Sequence, residues 1–407
     1  MKTISAIPLI LILTLTAITL WGMEPAADCP CSGSITRMAK AYQEDAVFKL
    51  LIDMAFAHMQ QVPEHYRTGG NPWIGKNFND LLIFFQQWCD FLPQAQGSSD
   101  NGLYYIEQMD LFAYKNPYGR AAFQTKPGID LFRAFAGERG AFLDSPASTK
   151  YVAEWLANPR TEKEDYLLPD PDAPDGGFTS YNTFFSRGLK HPQKVRPQTM
   201  PERDYIISAP TDALMNSIPA HIVDAKTKIR TKGTQELNIE LLLAGSKHWS
   251  RFIGGTALSC ILMPNTYHRY HAPVSGDVIE TRLVSGALLG MKDFPSFVPP
   301  GGNVGYYGSD FNAFEAYQRG YFIIDTGAYG LVAVVPVGLS TVGSVVFKEK
   351  YLNATGPMPI ARGDELGHFL YGGSLVILVF EPGMYRSDAI KVRLGNQIGT
   401  LDTKSNK

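Results

Sequence analysis

The sequence predicts an α+β protein, a mainly helical N-terminal region followed by a β-rich domain, and three observations carry this. Between Ile35 and Ala157, apolar residues recur at helical spacing. From Phe178 onward the apolar runs are short, β-branched and punctuated by glycine and proline. Between the two lies NPRTEKEDYLLPDPDAPDGG, whose proline, aspartate and glycine content marks a linker over residues 158–177. Helices first and strands second make an α+β arrangement, with domains expected at 35–157 and 178–407.

Each element has its own signal. Lys2 followed by the apolar run Ile7–Trp21 reads as a secretory signal or an uncleaved anchor within residues 1–27. The protein is therefore expected in the secretory pathway, secreted or membrane-associated. In ITRMAKAYQEDAVFKLLIDMAFAHMQQV, residues Val47, Leu50, Leu51, Met54, Ala55 and His58 share a helical stripe, which makes His58 a packed core histidine. Further helices are expected in NDLLIFFQQWCDFL, GIDLFRAFAGERGAFL and TKYVAEWLA. The acidic linker lacks the ligand spacing of a calcium loop. Strands are expected in YIISAPTDALM, ALSCILMP, DVIETRLVSG, YFIIDTG, GLVAVVPVGLSTVGSVVF and SLVILVF.

Composition narrows the function. Hydrophobic residues at 45% and charged residues at 19% describe a globular chain, and a net charge of -2 gives no electrostatic case for nucleic acid. Four cysteines, Cys29, Cys31, Cys89 and Cys260, are too scattered for a disulfide scaffold, and Cys29-Pro30-Cys31 reads as a mobile stretch after the signal. Asn353-Ala354-Thr355 fits a glycosylation sequon, a pattern that also arises by chance.

The stretch HFLYGGSLVILVFEPG places Gly372, Gly373 and Ser374 at the head of an apolar strand. The Gly-x-Ser-x-Gly elbow of a hydrolase is absent, since Leu375 and Val376 follow the serine. A second use of such a serine is attack by its Oγ on the carbonyl of Gly373, shifting the acyl group from nitrogen to oxygen. Elimination from that ester would convert residue 374 into a pyruvoyl group at a new chain end. Such chemistry needs a base and a carboxylate. MPNTYHRYHAPVSGDV offers His268 and His271, and SAPTDALMN offers Asp212. Prolines flank the histidines, so a shared helical face for a metal is not expected and no metal is assigned.

Together these stretches resemble the phosphatidylserine decarboxylase family of pyruvoyl enzymes. The resemblance covers about the last 230 residues, from YNTFFSRGLKHPQKVRP, with Phe184-Phe185, Arg187, Leu189 and Arg196-Pro197, through YHRYHAPVSG and VGSVVF to RGDELGHFLYGGS. It implies that the chain is cut between Gly373 and Ser374, and that Ser374 becomes the covalent pyruvoyl cofactor. That group forms a Schiff base with a substrate amine, and carbon dioxide is released. It implies that His271 and Asp212 activate the serine for self-cleavage. His268 then protonates the carbanion left by decarboxylation, a role suited to a group titrating near neutrality. A large chain ending at Gly373 and a small one, Ser374–Lys407, should remain associated. Two residues depart from the family pattern: Ala213 stands where glycine is usual, and Leu375 where threonine is usual, removing a hydroxyl near the reactive centre. Ser344, in VGSVVF, lacks the Gly-Asp-Glu-Leu-Gly context and reads as structural. The family default substrate is phosphatidylserine, giving phosphatidylethanolamine at a possible membrane surface. The long helical front resembles the fungal tryptophan decarboxylase branch instead, which implies a free aromatic amino acid. An unprocessed, non-catalytic exported binding protein is the alternative from a different class.

Overall fold

The computed structural model describes residues 29–61, 71–95, 104–113, 116–215, 220–221, 238–262, 265–288, 317–341, 344–352 and 356–386. The expected signal or anchor and the sequon lie outside the described residues. Among those described, no helix is long and apolar enough to cross a membrane.

Six helices form the first layer: α1 (Ser32–Glu44), α2 (Ala46–Ala57), α3 (Phe78–Cys89), α4 (Tyr104–Ala113), α5 (Pro117–Gln124) and α6 (Gly128–Leu143). Their starts are encoded locally. Asp45 accepts from the N–H groups of Val47 and Phe48, Asn77 and Asp80 close a capping box, and Asn116 caps α5 ahead of Pro117. The stripe expected on α2 is rotated. Val47 and Leu50 are 66% and 61% exposed, whereas Phe48, Ile52 and Ala55 are buried. His58 is not a core residue: it is exposed at the end of α2, with Nδ1 bonded to the Met54 carbonyl at 2.9 Å. Apolar residues surround most of α2, so its period is readable but its phase is set by α5, where Phe123 meets the edge of Phe48 at 6.1 Å.

The cysteine reading is corrected too. Cys31, at the start of α1, is bonded to Cys89, the last residue of α3, across 58 positions. Cys31 is buried, so this segment is a fixed element, while Cys29 and Cys260 remain free thiols. Replacing Cys31 and Cys89 together by serine is expected to lower unfolding free energy by about 2–4 kcal/mol, since the unfolded chain regains the freedom of that closed loop. Urea denaturation measures this, and an unchanged midpoint would count against it.

After α7 (Val152–Ala157), the linker winds through two short 3-10 turns and bridges back through Tyr166 to Leu189. Next comes α8 (Tyr181–Phe185), whose Ser180 and Thr183 form a capping box. The strands are β1 (Leu214–Met215), β2 (Ala220–His221), β3 (Thr256–Leu262), β4 (Arg269–His271), β5 (Gly276–Val284), β6 (Arg319–Asp325), β7 (Leu331–Thr341), β8 (Val345–Phe347), β9 (Met358–Ile360), β10 (Glu365–Phe369) and β11 (Gly372–Phe380). Strand structure expected across Tyr205–Met215 is confined to its last two residues.

The larger sheet runs β1-β3-β11-β7-β6-β5-β9, with β2 also on β3, and the smaller is β4-β10-β8. All pairings between these strands are antiparallel. β11 is interior, paired on both sides, which suits its continuous apolar run. Successive side chains alternate across the sheet. Leu375, Ile377 and Val379 join Ile261, Val335 and the aromatic residues of α2–α6 in one core. Val376, Leu378 and Phe380 face the other way, into a core with Trp155, Tyr181, Phe184, Phe185, Tyr270 and Tyr371. The helical layer is thus one cover of the central sheet, and α8 with the small sheet is the other.

Candidate active site

Ser374 is the third residue of β11, opposite Leu262 of β3 and Gly338 of β7. Alternation puts its side chain on the face of Val376 and Leu378, under α8. It is 3% exposed, and its Oγ has no hydrogen-bond partner among the described residues. A buried hydroxyl left unpaired costs roughly 1–3 kcal/mol, a feature that calls for a functional explanation. Just ahead of it the register slips: Gly372 faces Thr341 and Gly373 faces Leu339, so β7 carries an extra residue there. Bulges re-aim the chain locally, and this one lies at the expected cleavage bond. The two glycines therefore belong to the strand, and the junction is inside it rather than ahead of it. Leu375 is fully buried on the opposite face, so a hydroxyl at that position would point into the helical core, away from Ser374.

Asp212 stands two residues before Leu214, which pairs with Ile261, which in turn pairs with Leu375. It therefore lies at the same end of the sheet as Ser374, on the far side of β3 from β11. Both its oxygens accept from Arg196, with Nε at 3.0 Å from each and Nη2 at 2.8 Å from Oδ2. Arg196 also pairs with Glu162 and Asp165. The linker thus contributes two carboxylates here, and these bonds, Asp212 foremost, hold the Arg196 guanidinium firmly protonated despite partial burial.

His271, at the end of β4, reaches the same cleft of about 420 Å³, whose walls include Leu189, Arg196, Asp212, Tyr267 and Gly363. Its N–H bonds the Pro210 carbonyl, tying β4 to the Asp212 loop. Nδ1 donates to the Gly363 carbonyl at 2.8 Å, so Nε2 is the bare nitrogen and accepts from Tyr267 Oη at 2.8 Å. Gly363 has φ of +87°, and a side chain there would collide with Gln198. Burial lowers the proton affinity of His271, keeping the imidazole neutral. Among the described residues, no hydrogen bond joins Asp212, His271 and Ser374 directly.

His268 lies elsewhere. It is 1% exposed, with its ring 3.8 Å from that of Phe185, which is in turn 5.4 Å from Tyr371, three residues before Ser374. Asn182 fixes this corner, accepting from the Tyr371 N–H while donating to Asp144. His268 Nδ1 donates to the Thr266 carbonyl at 2.8 Å. Burial, and then the charge of Arg187, push His268 down to about 3, against a small upward pull from Thr266. The expectation of a group titrating near neutrality is therefore corrected: in this state it is a neutral imidazole. Arg196, Tyr267 and Asn182 are further site residues that the sequence did not single out for a role, although all three lie within the motif stretches YNTFFSRGLKHPQKVRP and YHRYHAPVSG. No cluster of metal-ligating residues exists among the described residues.

A pH dependence follows. His268 accepts a proton near 6.5 when unfolded and near 3 when folded, so the unfolded chain binds more protons between those values. Stability is full above pH 6.5 and is lost as pH falls toward 3. Replacing His268 by glutamine is expected to flatten this acid limb in unprocessed protein, measured as melting temperature against pH; an unaltered limb would assign it to other groups.

Comparison with known proteins decides the family. The sequence profile described as phosphatidylserine decarboxylase matches residues 181–400, 220 of the 407. The chain belongs to the phosphatidylserine decarboxylase family. Phosphatidylserine decarboxylase proenzyme 2 of Oryza sativa subsp. japonica is 31% identical over 292 residues, 70% of this chain and 43% of that protein. Phosphatidylserine decarboxylase proenzyme 3 of Schizosaccharomyces pombe is 30% identical over 280 residues, 66% of this chain and 26% of its own length. The chain thus spans less than half of these two relatives. Decarboxylase iboD of Amanita muscaria is 27% identical over 294 residues, and 81% of it is covered. Ser374, His268, His271 and Asp212 all fall inside the stretch matched by the phosphatidylserine decarboxylase profile.

Proposed function

We propose that this protein is a self-processing, pyruvoyl-dependent decarboxylase whose substrate is an amine-bearing carboxylate, phosphatidylserine in the first instance. The observation that carries the proposal is the buried Oγ of Ser374, unpartnered among the described residues, beside the β7 bulge that faces Gly372 and Gly373. Attack by this oxygen on the Gly373 carbonyl breaks the C–N bond and leaves an ester, with the amine of residue 374 freed. Removal of the α-proton of residue 374 expels the Gly373 carboxylate. Hydrolysis of the resulting enamine, through its imine, releases ammonia and leaves a ketone. His271 is the base of this sequence, and Asp212 with Arg196 supplies the charged surround. Residue 374 would hold the pyruvoyl group covalently, and that group would supply an electrophilic ketone for a substrate amine and an electron sink for decarboxylation.

The chain's own residues do the rest. β11 stays bound to β3 and β7 after scission, because Leu375–Phe380 is paired on both sides. His268 is itself shielded from water, buried against Phe185. The negative charge of an incoming carboxylate raises its proton affinity, so the bare Nε2 can take up a proton then and hand it to the reacting carbon after carbon dioxide leaves. The Cys31–Cys89 bond supports an oxidising compartment, and with Lys2 and Ile7–Trp21 it favours an exported or membrane-associated protein.

A second reading, a free aromatic amino acid, is favoured by the aromatic side chains of Tyr181, Phe184, Phe185 and Tyr371, which pack in the core on the Ser374 face. The test is intact mass and denaturing gel electrophoresis of purified protein, followed by carbon dioxide release from phosphatidylserine micelles, serine, tryptophan, tyrosine and phenylalanine. A small fragment beginning with a keto-blocked residue 374 is expected. A single uncut, inactive chain would overturn the proposal and favour the binding-protein alternative.

A further inference from the structure

Arg187 is a buried cation that the mechanism above leaves without a task. It is 2% exposed and forms no salt bridge among the described residues, since its Nη atoms donate to the carbonyls of Phe184, Asn265 and Thr266. Its guanidinium carbon lies 4.1 Å from the Tyr166 ring centre and 4.7 Å from that of Phe184. A desolvated cation without a carboxylate costs stability, and burial lowers its proton affinity accordingly. What offsets that cost is carbonyl oxygens and two aromatic faces, which a planar fork can use together and an ammonium cannot.

The carbonyl of Thr266 is the link. It accepts from Arg187 Nη2 at 3.4 Å and from His268 Nδ1 at 2.8 Å. Nη2 therefore reaches two consecutive carbonyls of the loop that enters β4 while Nη1 holds the Phe184 carbonyl, and the same loop's oxygen determines which nitrogen of His268 carries hydrogen. From the other side, the Phe369 N–H bonds the His268 carbonyl at 2.9 Å. The imidazole is left with Nδ1–H tied to the loop and Nε2 as its bare nitrogen.

We propose that Arg187 is a positioning residue for His268: by clamping the 265–266 loop between α8 and β4, it holds the ring tautomer and orientation that decarboxylation uses. The proposal rests on the decarboxylase reading for its catalytic half. Its structural half stands separately, because the tautomer is observable in unprocessed protein.

Two measurements test it. In the full-length Ser374→Ala precursor, imidazole nitrogen NMR is expected to show His268 as the Nδ1–H form, and Arg187→Lys is expected to mix the two tautomers. An unchanged His268 spectrum in the lysine variant would overturn the proposal whatever the enzyme's activity. In processed protein, carbon dioxide release per keto group from phosphatidylserine micelles or tryptophan, whichever the parent consumes, is expected to fall about 10- to 100-fold in Arg187→Lys, the size of loss that small misplacements cause. In a His268→Gln background the same change should lower turnover less than about 2-fold, because the two act as one unit. Multiplying losses would refute it. Should Arg187→Lys fail to fold, Tyr166→Leu removes one ring face and keeps the cation; the same coupling to His268 is expected, and independence there overturns the proposal. A parent that releases no carbon dioxide would sink the decarboxylase reading while leaving the tautomer test standing.

Discussion

Ser374→Ala is expected to give a folded, uncut chain with no decarboxylase activity. Ser374 Oγ is enclosed on the α8 face of β11 with no partner among the described residues, so its removal takes away a desolvated polar atom and leaves the apolar packing of Val376 and Leu378 intact. Stability should be equal or up to about 1 kcal/mol higher, since deleting an unpaired buried hydroxyl relieves its desolvation. Loss of cutting would then be chemical and not a folding defect. No other atom of the junction can replace the nucleophile: Gly372 and Gly373 have no side chain, and Leu375 points into the helical core. The measurement pairs intact mass with a thermal melt. Persistence of the cut in the alanine variant would show that scission does not use this oxygen.

His268→Ala is expected to separate the two reactions. His268 packs against Phe185, whose ring meets that of Tyr371 edge to face, while His271 and Asp212 line the cleft beside Arg196. Because these groups occupy different surroundings, cleavage should continue and yield both fragments. Carbon dioxide release per keto group should fall by roughly 10²–10⁴-fold, the usual contribution of a positioned acid or base. Glutamine at 268 distinguishes this from loss of packing, since it fills more of the space under Phe185. Failure of both reactions in the glutamine variant would assign His268 to self-cleavage.

Local chemistry made some of this legible. The helix Gly128–Leu143 was readable as GIDLFRAFAGERGAFL, and β3 and β11 as apolar runs, because periodicity and turn residues act over a few positions. The Gly373-Ser374 step stood out for the same reason: glycine before a buried strand is anomalous within the strand itself. The phase of α2 was not readable, since Val47 and Phe48 are both apolar and only Phe123 on α5 distinguishes them.

By itself, then, the sequence determined the order of layers, the family and the four residues worth testing, all of which depend on neighbours close along the chain or on motifs in fixed order. Only the tertiary structure decided that Cys31 meets Cys89, that Asp212 is held by Arg196, that Leu375 faces away from Ser374 and that His268 is neutral under Phe185. Each of these is a property of what packs across a gap of 16 to more than 80 positions. Pairing, charge state and facing are set by the surroundings that folding supplies, and residue identity alone does not contain them.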